Sequence, residues 1–506
     1  MFKVKERCLA GRIGVLKTKR GFLETPYLFP VIDLERQEIP LSEIRALGFR
    51  GVITNAYLLF RRGFKGDITL LLKPFEVIMT DSGAYQYLEY GRIDIDNATI
   101  IEYQKKINSD IAVILDVPTG DSKDRVWAEF TVRETLRRAQ EALKLVDREK
   151  RLWVLPIQGG VHLELLEISA IESSNLEFDI YALGSPTKML ERYRYEAILD
   201  MIFSVRRNLP FCKPLHLFGA GHPMMIPIAV AMGVDLFDSA SYILFARQDR
   251  YMTEAGTKHV SELEYLPCSC PVCHRLDARE LRELNRAERT RLLALHNLGV
   301  ISATLKKTKQ AIVEGRLWEL LEEQSRRHPR LYSAFVWIAK RYSKWLEAFD
   351  PRINRISKAV MLYDLLSLRN PRVGRALRHL RTEYSPPPLY KYLLLRPRTS
   401  IDNVSNEILT RLKDQVHIVF YDEVLGVIPS ELSRTYPLGH SITPGIRPWG
   451  PSKSLLRRIR EYVLKYKSSY AMPIMIEVCR EWDESELLKE LPSDVSFKVL
   501  VVDCEY

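Results

Sequence analysis

Between residues 27 and 242 the sequence alternates between short apolar, β-branched runs and segments with helical spacing. There are eight such runs: Tyr27–Ile32, Gly51–Tyr57, Val77–Asp81, Ile111–Pro118, Leu152–Gln158, Asp179–Ser185, Pro214–Gly219 and Val234–Tyr242. Most are hydrophobic almost without interruption, as parallel strands covered on both faces must be. Among the intervening segments, Asp124–Asp147 carries Val132, Leu136, Ala139, Leu143 and Val146 at steps of four and three, one face of a helix. Met189–Arg207 and the shorter Ile226–Met232 read the same way. This alternation predicts an α/β chain built on a (β/α)8 barrel of the TIM type. An open doubly wound sheet is the structural alternative, but no Gly-x-Gly-x-x-Gly turn follows the first strand. In a barrel, chemistry belongs where strands end and loops begin.

The chain has 506 residues, more than one barrel needs. From Ala278 to about Leu346 it is helical and rich in Arg and Lys, and Asp350-Pro351 marks a boundary. The expected division is a catalytic barrel over 1–348 and a smaller C-terminal α/β region over 349–506. Residues 352–382 read as further helix and Ser385-Pro-Pro-Pro388 as a linker. Strand-like runs follow at Tyr390–Leu395, Val416–Tyr421, Met472–Val478 and Phe497–Val502, with a basic helix at Ser454–Lys467. A net charge of +11 points to a polyanionic partner, of which nucleic acid is the commonest. No apolar stretch follows the charges of the N-terminus, and the most apolar segment, Pro223–Phe237, contains Pro227, Gly233 and Asp235. A cytoplasmic protein with no membrane partner is expected.

Of seven cysteines, Cys8, Cys212, Cys479 and Cys504 are scattered and expected to be buried. Cys268, Cys270 and Cys273 instead supply three soft ligands within six residues. A tetrahedral zinc needs a fourth, and His296, with 22 residues between it and Cys273, fits a Cys3His set. His274 competes, but directly after Cys273 it would have to turn back onto the same metal. Such a site, in an insertion at about 266–300, has no open position, so one structural Zn2+ per chain is expected.

The strand ends carry the chemistry. The third run finishes on Asp81-Ser82-Gly83, the fourth runs into Asp116, and the fifth ends on Gln158-Gly-Gly. The sixth ends on Gly184-Ser185, the seventh on Phe218-Gly-Ala-Gly221, and Asp238 lies near the end of the eighth. Singly, such an Asp is a helix cap and such a Gly a turn. Together they place three carboxylates, an amide and glycines on one face. One carboxylate can attack an anomeric carbon while another manages the leaving group's proton. Further Asp and Gln groups can read a purine edge, and Tyr85 and Phe218 can sandwich a flat base.

Asp81-Ser-Gly-Ala-Tyr-Gln86, Gln158-Gly-Gly, Gly233-Val-Asp-Leu-Phe-Asp238 and the Cys-x-Cys-x-x-Cys…His set resemble, in order, the signatures of tRNA-guanine transglycosylases. Lys17–Pro26 and Ile53–Tyr57 resemble the family's N-terminal part, and Ser239-Ala-Ser-Tyr242 its archaeal branch; the likeness spans roughly residues 1–340. The resemblance implies that Asp238 is the nucleophile of a covalent tRNA intermediate and Asp81 the general acid/base, beside Ser82. It implies that Asp116 and Gln158 read the purine between Tyr85 and Phe218, with Gly184 and Ser185 as a backbone contact that Pro186 makes incomplete. For archaeal members it implies insertion of 7-cyano-7-deazaguanine in place of guanine at position 15 of the D-arm, toward archaeosine. It also allows a homodimer. Archaeal members commonly end in a PUA-type RNA-binding module, for which the sequence before Tyr506 leaves little room. Its absence, or its supply by a separate protein, is the expectation. Arg326, Arg327, Arg330 and the helix Lys453–Lys467 are then candidates for phosphate contact. The rivals are a pathway paralogue that modifies the inserted base, a noncatalytic zinc-stapled RNA-binding protein and a hydrolase of free glycosides. The presence of both Asp81 and Asp238 argues against the paralogue, and the charge against the hydrolase.

Overall fold

The computed structural model describes residues 2–86, 94–184, 186–352, 358–398 and 410–504. They form two compact units, one of residues 1–338 with 349–356 and one of residues 339–348 with 357–506.

The first unit opens with an antiparallel sheet that the sequence reading did not anticipate: β1 (Phe2–Cys8), β2 (Gly11–Lys17) and β3 (Phe22–Thr25). The eight apolar runs then fold as parallel strands: β4 (Tyr27–Pro30), β5 (Gly51–Asn55), β6 (Val77–Asp81), β7 (Ile111–Val113), β8 (Leu152–Ile157), β9 (Ile180–Leu183), β10 (Leu215–Leu217) and β11 (Leu236–Ser239). Their order is β4-β11-β10-β9-β8-β7-β6-β5. A parallel bridge between Val31 and Ile53, with the Ile32 N–H donating to Ile53 O at 2.8 Å, joins the two ends and closes the barrel. β8 and β9 are buried along their whole length, as their unbroken hydrophobicity requires.

Several strands stop earlier than the apolar runs do. Beyond Ile114, whose N–H still donates to Val154 O of β8 at 3.3 Å, side chains take over: Asn97 Oδ1 accepts from the Leu115 N–H at 3.1 Å and Thr135 Oγ1 from the Val117 N–H at 3.1 Å. The run through Ile114 and Leu115 is thus a buried extension, not a regular strand, that leads to Asp116. The helix expected over Met189–Arg207 is two, Thr187–Glu191 and Tyr195–Arg206, broken at Tyr193, whose φ of 53° is left-handed.

The opposite end of the barrel is tied to the N-terminal sheet by a buried ion pair. Arg12 of β2 donates to both carboxylate oxygens of Asp235 at 2.7 Å and to Lys213 O at 2.6 Å, and Asp235 also accepts the Leu215 N–H at 2.8 Å. Both side chains are wholly shielded from solvent. Removing one partner of such a pair costs about 3–5 kcal/mol, because it strands a buried charge.

The second unit contains a five-stranded sheet ordered β17-β16-β15-β19-β20. Its members are β15 (Tyr392–Pro397), β16 (Val416–Asp422), β17 (Gly426–Pro429), β19 (Ile474–Cys479) and β20 (Phe497–Val502), with only β17 antiparallel. The basic helix Lys453–Tyr466 buries Leu455, Leu456, Ile459 and Val463. Two expectations are corrected here. Within 352–382 the helix is confined to Pro371–Thr382, where Asn370 caps the Arg372 N–H at 3.1 Å, and a two-residue strand, β14 (Val360–Met361), precedes it; residues 353–357 lie outside the described part. Cys479 and Cys504 are joined in a disulfide, and Cys212 is exposed rather than buried. Among the described residues no helix is long and apolar enough to cross a membrane.

Candidate active site and metal centre

Asp81 is the last residue of β6, Gln158 follows β8, Gly184 follows β9, Phe218 follows β10, and Asp238 is the third residue of β11. Asp116 lies three residues past β7. All six therefore sit at the C-terminal ends of parallel strands, on one face of the barrel. Ser185 lies outside the described residues.

Asp81 feels the other two carboxylates. Burial, then the charges of Asp116 and Asp238, push the Asp81 carboxyl up to about 7, against a partial offset from the Ser82 and Gly83 backbone N–H groups. Burial likewise pushes Asp116 up to about 6, opposed by the amide of Gln158. That amide is fixed at both ends: Oε1 accepts the Thr119 N–H at 3.0 Å, which turns Nε2 toward Asp116 Oδ2 at 2.5 Å. Gly184 is needed beside it, since a Cβ there would lie 2.3 Å from Gln158 Nε2. Gly83, at φ +89°, makes the turn after Asp81, where a Cβ would lie 2.3 Å from Tyr57 Cβ. Between them Ser82 Oγ is buried with no hydrogen-bond partner. Tyr85 is exposed and Phe218 half-buried.

Two side chains escaped the sequence reading. Asn55, at the end of β5, caps its helix through the Leu58 N–H and donates to Gln86 Oε1 at 3.0 Å and to Asp81 Oδ2 at 3.4 Å. His216, in the middle of β10, is buried with Nε2 2.9 Å from Asp238 Oδ1, an oxygen that also accepts the Gly219 N–H at 3.0 Å. Within Pro-Leu-His-Leu-Phe it reads as a core residue, and only the pleat, which brings it opposite β11, shows its neighbour.

Near the barrel, Cys268, Cys270, Cys273 and His296 bring their ligand atoms within 4.8 Å of one another. The hairpin of β12 (Arg250–Thr253) and β13 (Gly256–His259) helps to hold the fourth of these. His296, on the helix Arg286–Val313, donates from Nε2 to Met252 O at 2.9 Å and stacks on Tyr251. This leaves Nδ1 facing the cysteines, 3.4 Å from the sulfurs of Cys270 and Cys273. His274 is exposed and outside the cluster. The set can hold one metal ion with no position to spare. Of the candidate phosphate ligands, Arg327 is paired with Glu254 and Glu323, and Arg326 lies over the ring of Tyr332 at 4.7 Å.

A closed barrel whose mouth gathers three carboxylates, one protonatable near neutrality, with a fixed amide is a (β/α)8 enzyme scaffold, here with a Cys3His group that could hold a metal ion. Known proteins define it further. The sequence profile of the queuine tRNA-ribosyltransferase family matches residues 8–330. A tRNA-guanine(15) transglycosylase of Aeropyrum pernix is 52% identical over 381 residues, 74% of each chain. Those of Saccharolobus solfataricus and Sulfolobus acidocaldarius are 45% and 42% identical, covering 88% and 91% of this chain and 90% and 92% of theirs. The chain belongs to this family of tRNA-modifying pentosyltransferases.

Proposed function

We propose that this protein exchanges the guanine at position 15 of the tRNA D-arm for 7-cyano-7-deazaguanine, through a covalent intermediate on Asp238. The observation that carries this reading is the Asp81 carboxyl, raised to about 7 beside a second carboxylate, Asp238. A group of that kind can give a proton and take it back at neutral pH. The Asp238 carboxylate attacks C1′ of the target nucleotide, the C1′–N9 electron pair departs with guanine, and Asp81 supplies the proton that guanine gains. In the second half the incoming purine loses its N9 proton to Asp81, N9 attacks C1′, and Asp238 is released. Asp116, Gln158 and Ser82 read the purine edge between Tyr85 and Phe218, and Gly184 keeps the wall low enough for a flat ring. The target nucleotide must leave its stack to reach this mouth.

Zn2+ is the metal we propose for the Cys3His site, because three thiolates and an imidazole complete its tetrahedral shell. It supplies cross-linking rather than chemistry. Incubation with tRNA and labelled guanine, followed by denaturing electrophoresis, tests the function. Wild-type protein should incorporate label and carry tRNA covalently. Asp238→Asn should form no adduct and lose about 10³-fold or more in exchange rate. Full exchange by that variant would reject the mechanism.

A further inference from the structure

His216 is completely buried, and its ring is gripped by aromatic neighbours: Phe29 of β4 stacks at 6.1 Å and Phe218 meets it edge-on at 4.7 Å. One nitrogen points at Asp238 Oδ1; the other, Nδ1, is buried with no hydrogen-bond partner. That asymmetry decides the tautomer. A proton on Nδ1 would be a donor shut away from every acceptor, at the full desolvation cost, whereas a lone pair there costs less. The hydrogen therefore sits on Nε2 and is donated to Asp238. With the Gly219 N–H, it places two hydrogen bonds on Oδ1, while Oδ2 receives none among the described residues.

We propose that His216 is a positioning residue for the nucleophile. It ties down one oxygen of Asp238 and leaves the other free for attack on C1′, while the aromatic grip keeps the carboxylate from rotating between attempts. The role rests on the reading of Asp238 as the nucleophile. It needs no proton transfer by the imidazole, because a carboxylate attacks as it stands. The group required is an N–H at the Nε2 position, held by packing.

Two substitutions separate this role from simple packing. In His216→Gln the amide nitrogen falls near the place of Nε2, whereas in His216→Asn the shorter amide stops near Nδ1 and does not reach Asp238. Losing one hydrogen bond to a charged group should lower kcat of His216→Asn about 10- to 100-fold. The single-turnover rate of adduct formation should fall by the same factor, with KM for tRNA changed less than about threefold, because the interaction serves the chemical step and not tRNA binding. His216→Gln should keep kcat within about threefold of wild type. Should His216→Asn fail to fold, His216→Phe, which refills the slot without the N–H, takes its place. Equal losses in the Gln and Asn variants would overturn the proposal, as would wild-type kcat in His216→Asn or an effect confined to KM. Asp238→Asn run alongside separates the two claims. An adduct on that variant removes the nucleophile and with it the role of His216. No adduct there, with a wild-type rate in His216→Asn, removes only the latter.

Discussion

Asp81 stands at the end of a strand in a place that penalises its charge, and the penalty is visible in the folded state's proton balance. An aspartate at its ordinary value of 3.8 is ionised in the unfolded chain at pH 5, whereas in the folded protein it still holds its proton until about pH 7. Folding then takes up a proton. The stability associated with the neutral form is full below about pH 4 and is lost as pH rises through about 7. Asp81→Asn, neutral throughout, escapes that loss. At pH 8 it should be more stable than wild type by about 1–2 kcal/mol, with exchange activity severely reduced, and the stability gap should close toward pH 4. Chemical denaturation at pH 4.5 and pH 8 measures both ends; a gap independent of pH would show that the charge is not what the site penalises.

At the level of elements, the apolar runs were legible because parallel strands inside a helical shell have no polar face to interrupt them, and the candidate site residues could be picked out because they punctuate the ends of those runs. The Cys3His site was legible from thiol spacing, and the structure selects His296 over His274 by where a long helix delivers its imidazole. Other features depend on what packs across from a residue. His216 alternates inside a hydrophobic triplet, the extension past Val113 is capped by Asn97 and Thr135 rather than by a strand, and among the described residues of 352–382 the helix is limited to Pro371–Thr382 and the short turn Ser367–Arg369. The sheet β1–β3 left a trace in the alternation of Phe2–Cys8, half-covered and exposed by turns, which is a period of two at an end of the chain away from the barrel runs. The proposed metal site belongs to this scale. Chelation or Cys270→Ser should lower the melting temperature by roughly 5–10 °C while leaving kcat per folded molecule within about twofold, since a closed site contributes folding energy and no chemistry. Calorimetry with active-site titration by adduct formation checks it; a metal-free protein of unchanged stability would refute the structural role.

For the whole molecule the relevant quantity is a charge of +11 facing a polyanion. Two of its cations are already engaged within the protein: Arg327 is held by Glu254 and Glu323, and Arg458 of the basic helix donates to Glu423 O at 2.7 Å and Val424 O at 2.6 Å. The remaining surface charge should still make tRNA binding salt-dependent. The KM for tRNA is expected to rise about 10-fold or more between 50 and 200 mM salt, with kcat little changed. A flat KM would mean that contacts other than phosphate neutralisation hold the RNA.

The barrel seam has a consequence for breathing. Backbone pairing between the ends of β4 and β5 is limited to the Val31–Ile53 bridge, beside which the Tyr27 hydroxyl accepts the Gly51 N–H at 2.7 Å and donates to Gly51 O at 2.9 Å. The flanking pairs β11–β4 and β5–β6 are instead joined over four and five residues. Strand order places this seam between β11, which carries Asp238, and β6, which carries Asp81. Local opening costs least where fewest bonds break, so the Ile32 amide should exchange with deuterium ahead of amides in β8 and β9. If Asp238 is the proposed nucleophile, a tRNA analogue trapped on it should slow exchange at Ile32 by bridging the seam.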